Sequence, residues 1–106
     1  MAQSLPLPPA AESDPKSLEV IRVWIADRKL HCVLNIDFWE AQGKDELRAW
    51  GIVLADTMKH IANAHQAEYG RDPDQSLAKI RDALTDEVEQ PTSGHPGEFL
   101  PRRSRP

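Results

Sequence analysis

Asp56 and His60 stand four residues apart in the run ELRAWGIVLADTMKHIANAHQAEYG, Glu46 to Gly70. On a helix a carboxylate at that spacing can orient an imidazole, the arrangement that general bases and metal sites use. It is also the ordinary spacing of a surface pair, which is the simpler reading. His60 and His65 are five apart and fall on different helix faces, so the two-histidine zinc pattern is not met, and His31 and His95 add no ligand spacing. Cys32 is the only cysteine, and His31 beside it points to the opposite face of a strand, so a thiolate there has no neighbouring base. The aromatic residues remain. Trp24, Trp39 and Trp50, with His60, would line a pocket for a flat ligand between a hairpin and a long helix. The expectation is no catalytic residue, no metal and no cofactor, with that pocket as the alternative.

Few elements are available to position these side chains. In Glu46 to Gly70, Leu47, Trp50, Leu54, Met58, Ile61 and His65 recur at spacings of three and four, an amphipathic helix whose stripe is widened by Gly51, Val53, Thr57 and Ala62. Gly70 can take the left-handed conformation that ends a helix. Asp72, Pro73 and Gln75 then form a helix start, and Leu77, Ile80, Leu84 and Val88 are the apolar stripe of a helix from Pro73 to about Glu89. Ahead of the long helix, LEVIRVWIA (Leu18 to Ala26) and LHCVLNI (Leu30 to Ile36) are rich in β-branched and aromatic residues and read as two strands. A register with Ala26 opposite His31 pairs Ile25 with Cys32, Val23 with Leu34 and Ile21 with Ile36 on one apolar face. The second face then carries Val20, Arg22, Trp24 and Val33. Asp37 and Glu40 suit a short helical turn before Gly43, and Phe38 and Trp39 would close the end of the core.

The 106 residues allow one domain, and both ends are rich in proline. Residues 1–17 read as a flexible arm, 18–90 as a single domain and 91–106 as a disordered tail, so the foldable part is small and in need of a partner. The formal charge of −4 divides into −6 over residues 1–90 and +2 over the tail. Such a body repels polyanions, which leaves only Arg102, Arg103 and Arg105 for a weak nucleic-acid contact. With no apolar run near the roughly 18 residues of a membrane span and no secretory leader, the expectation is a cytoplasmic protein away from membranes.

LPLPPAA at Leu5 to Ala11, EVIRVWIA at Glu19 to Ala26 and AWGIVLADTMKHIANA at Ala49 to Ala64 together resemble DUF5076, a family of small bacterial proteins of unknown function. The resemblance extends from Leu5 to about Glu89. It implies a bacterial, cytosolic protein and carries over no activity, cofactor or functional residue.

The fold expected is α+β: a β-hairpin, a short helical turn and two α-helices packed on one face of the hairpin. An isolated two-stranded sheet is marginal in water and leaves two open edges. With no third strand legible, the second face, Val20, Arg22, Trp24 and Val33, is expected to serve a homodimer, its sheets joined edge to edge. The function expected is a small non-enzymatic dimeric interaction module with a protein partner, against the alternative of a small-molecule binder or small enzyme using the Trp24, Trp39, Trp50 and His60 pocket.

Overall fold

The structure, a computed structural model, describes residues 2–92 and the backbone of residues 97–100. Its architecture is α+β. A short helix α1 (Pro9–Ser13) precedes strands β1 (Ile21–Ala26) and β2 (Lys29–Asn35). A single 3-10 turn at Glu40–Gln42 leads into the long helix α2 (Glu46–Tyr69), then α3 (Pro73–Glu89) and a last strand β3 (Gly97–Leu100).

Proline explains α1: Pro8 is extended at the N-cap and Pro9 opens the helix, where a missing amide costs nothing. The hairpin turns on Asp27 and Arg28 alone, both with positive φ (52° and 60°), the two-residue geometry whose twist matches that of the flanking strands. Ala26 therefore pairs with Lys29, Val23 with Cys32 and Ile21 with Leu34. This corrects the expected register by two residues. Because a shift of two leaves every side chain on its own side of the sheet, the two faces keep their predicted members.

The sheet has a third strand. β3 pairs in parallel with β2, Cys32 opposite Gly97 and Asn35 opposite Leu100, giving the order β1-β2-β3. It falls within the tail expected to lack structure and corrects the view that the chain supplies no third strand. β2 is thus a central strand, and the open edges belong to β1 and β3. The tail arginines Arg102, Arg103 and Arg105, and His95, lie outside the described residues.

The helix boundaries follow their caps. Asp45 accepts the Arg48 amide at 3.2 Å, and Asp72 accepts the Gln75 amide at 2.9 Å. Gly43 and Gly70 end their turns with φ 74° and 70°, a conformation that side chains disfavour. Beyond α3, the Glu87 carboxylate holds Thr92 by its amide and hydroxyl at 2.7 and 2.6 Å.

The packing differs from expectation. The closest backbone approaches are strand to strand and α2 to α3, with the long helices set farther from the sheet. Ala62, 2% exposed, is the buried apolar residue among those described, and no large side chain is fully buried. Leu47, Leu54 and Ile61, expected to lie in the core, are exposed, as are Val23 and Ile25 on the hairpin face expected to receive the helices. On the second face Val20 and Trp24 are instead half-buried. Among the described residues, no helix is long and apolar enough to cross a membrane.

Candidate functional site

The most constrained group of side chains sits where the sheet hands over to the helices. Glu46, the first residue of α2, turns its carboxylate back onto the incoming loop. There Oε2 accepts the Asp37 amide at 3.0 Å, and Oε1 accepts the amides of Trp39 and Glu40 at 3.1 and 3.3 Å. Asp37 itself is left-handed, with φ 82°. Three donors that a sharp bend would otherwise leave unpaired are satisfied by one anion, which also lies at the positive end of the α2 dipole. The Asp37 amide does most to hold the Glu46 carboxyl below the usual glutamate range. Burial opposes it, and the Glu40 and Trp39 amides add to the lowering. The Trp50 indole N–H contributes least and makes no hydrogen bond of good geometry.

Aromatic rings close this elbow. Phe38 meets Trp39 edge-on with 5.3 Å between centroids, and Trp39 meets Trp50 in the same manner at 5.3 Å. Asn35, 6% exposed, lies at the end of β2 with its side-chain oxygen unpartnered among the described residues. The bend reads as a structural clamp, since the Glu46 carboxylate is occupied by three amides.

The residues predicted to form a pocket are divided. Trp39 and Trp50 come together at the elbow. Trp24 lines an open cleft of about 590 Å³ between β1 and the N-terminal arm, with Leu5, Leu7, Ile21 and Arg22 among its walls. His60 is exposed on α2, and no hydrogen bond joins it to the exposed Asp56. Of the second-face residues, Arg22 is engaged by Glu19 in an ion pair of 2.6 Å, and Val33 is exposed. Among the described residues, no group of three or more His, Cys, Asp or Glu side chains is placed to hold a metal ion.

One arrangement was not anticipated. At the turn between α2 and α3, Arg71 donates to His65 Nδ1 at 2.8 Å and stacks over Tyr69, 4.5 Å from the ring centroid. With Arg71 as the donor, Nδ1 of His65 is the acceptor and the ring proton sits on Nε2. Beside it, Ile61, Ser76, Lys79 and Ile80 complete a cleft of about 420 Å³. Among the described residues no carboxylate pairs with Arg71 or Lys79. The spacing of His65, Tyr69 and Arg71 about Gly70 was the available signal, and only the reversal of the chain at that glycine makes them meet.

These features define a class: a small α+β chain in which an anion-clamped elbow joins a three-stranded sheet to a helical hairpin. The chain belongs to the family described as Domain of unknown function (DUF5076), whose model matches residues 4–92. Among solved structures it is similar to a protein of the photosynthetic bacterium Rhodopseudomonas palustrus, provisionally named a pyruvate dehydrogenase. That likeness has 28% identity and a TM-score of 0.65, covering 89% of this chain and 91% of that one. No protein of curated function matches it.

Proposed function

We propose that the protein is a small, non-enzymatic, homodimeric interaction module of the bacterial cytoplasm. Dimerisation is carried by one observation: no large apolar side chain of either layer is fully buried, Ala62 being the buried apolar residue among those described. A chain this short needs nearly all its apolar surface to remain folded, so a second copy is the simplest source of cover. The acidic body, −6 over residues 1–90, then offers its outer helical surface to a protein partner. A cytoplasmic setting suits the single Cys32, which stays reduced there, and the bacterial origin of the structural relative supports the assignment to bacteria. The second hairpin face, with Val20 and Trp24 half-buried, offers less to a partner than the barer first face. Light scattering at tens of micromolar should return twice the chain mass, and a single-chain mass at that concentration overturns the proposal.

The reading as a small-molecule binder is favoured by a different observation, the cationic cleft at the α2–α3 turn. Arg71 and Lys79 face an otherwise acidic molecule without a carboxylate of their own, beside the Ser76 hydroxyl and two isoleucines. That chemistry suits a small organic anion with an apolar body. Thermal unfolding with millimolar pyruvate or inorganic phosphate tests it: a ligand of the folded state raises the midpoint, and Arg71→Ala should remove the rise. No rise with either anion counts against this reading.

A further inference from the structure

We infer that α2 of one copy lies across the first hairpin face of the other, and reciprocally, about a two-fold axis. The inference rests on the homodimer reading and specifies its surfaces.

The first hairpin face carries Ile21, Val23 and Ile25 from β1 and Leu30, Cys32 and Leu34 from β2, with no charge among the six. Ile25 is 81%, Val23 51% and Leu30 39% exposed, while Ile21, Cys32 and Leu34 are half-buried and the β1 end of the face borders the cleft shared with the N-terminal arm. On α2, Leu47, Leu54 and Ile61 recur every seven residues and are also exposed, at 85%, 47% and 41%. Each surface has the composition of a core face. They belong to one chain, yet they do not cover each other, because the elbow fixed by Glu46, Asp37 and Gly43 sets α2 where close contact along its own sheet does not form.

The two surfaces also match in size. Strands of six and seven residues span about 20 Å at roughly 3.3 Å per residue. Leu47 to Ile61 spans about 21 Å at roughly 1.5 Å per residue. The chain exposes 9180 Å², more than the roughly 6,000 Å² of a compact chain of its size, so surface is left for a partner to cover. A partner of different chemistry would have to present two uncharged faces of these lengths at this angle. A second copy presents them by construction, and reciprocal pairing about a two-fold axis closes the assembly.

Cross-linking tests the placement, because Cys32 lies on the inferred face and is the chain's only thiol. A wild-type chain is mixed with a differently tagged Cys32→Ser/Leu54→Cys chain, or with a Cys32→Ser/Asp56→Cys control, and treated with a short bis-maleimide. Circular dichroism confirms that each variant is folded, which is expected since both positions on α2 are exposed. A mixed-mass product several-fold more abundant with Leu54→Cys than with Asp56→Cys supports the inference. A dimer by light scattering that gives no mixed product through Leu54→Cys, or as much through Asp56→Cys, overturns the placement and leaves the homodimer standing. A monomer overturns both.

Discussion

The first turn of α2 and the remainder of the same helix meet opposite fates. At its start, Glu46 engages three amides and Trp50 stacks on Trp39, so polar and aromatic groups alike find partners a few residues away. Further along, Leu54 and Ile61 face outward, and Ala62 is the buried residue of that part. The contrast separates two kinds of demand. Hydrogen-bonding groups are satisfied locally, within the reach of a loop. Apolar area has to be covered by something large, and a 106-residue chain committed to this elbow does not supply it.

Removing the clamp should have the largest effect. Glu46→Ala leaves the amides of Asp37, Trp39 and Glu40 without their acceptor, and thermal unfolding should show the greatest loss of any substitution considered, independent of protein concentration. The clamp also has a pH signature. The carboxyl of Glu46 is lowered in the folded state, so its contribution is complete above the ordinary glutamate range and disappears as pH falls through the folded-state value. Wild-type protein should lose stability in that acid window, and Glu46→Gln should flatten that part of the profile. A profile with the same slope in Glu46→Gln would place the acid sensitivity elsewhere.

Next comes Trp50→Ala. Full burial would put its cost at about 3 to 5 kcal/mol, and half-burial at roughly 2 to 3 kcal/mol, again without concentration dependence. Leu54→Ala should behave differently. Its side chain is 47% exposed, so the roughly 2 to 5 kcal/mol of a buried leucine falls to about 1 to 2 kcal/mol at low concentration and grows as the protein is concentrated. Concentration-independent loss at Leu54 would erase the contrast between the two parts of α2. Smaller again, Asp72→Ala should cost about 1 kcal/mol through its cap on the Gln75 amide. Asp56→Ala, exposed and without a hydrogen bond, should stay within about 0.5 kcal/mol by chemical denaturation.

Much of the architecture was legible because it is encoded locally. Gly70 ends α2 and Asp72 and Pro73 begin α3 where the sequence announces it, and alternation assigned the hairpin residues to the same faces. The register was not legible. Asp27 and Arg28 are weaker signals for paired positive φ than Asn-Gly, so a longer turn gave an equally consistent set of apolar pairs. The role of Glu46 was hidden for a related reason: a glutamate in the first turn of a helix ordinarily faces solvent, and only the bend at Asp37 brings three amides to it. The predicted stripe of α2 divides: Trp50, Val53, Met58, Ala62 and His65 are buried or half-buried, while Leu47, Leu54 and Ile61 face outward. Periodicity says that a face seeks burial and is silent on which surface provides it. The grouping of the aromatic residues was hidden too, since residue type cannot show that Trp24 lies against the arm while Trp39 and Trp50 meet at the elbow.

The parallel pairing of β3 with β2 imposes a timetable on synthesis. β1 and β2 are neighbours and can zip together as they leave the ribosome, but the third strand follows only after both long helices have been made. Until then β2 presents a naked edge, and the nascent chain must close a loop that spans the whole helical hairpin before the sheet is complete. The helices should therefore form while the sheet is still two strands wide.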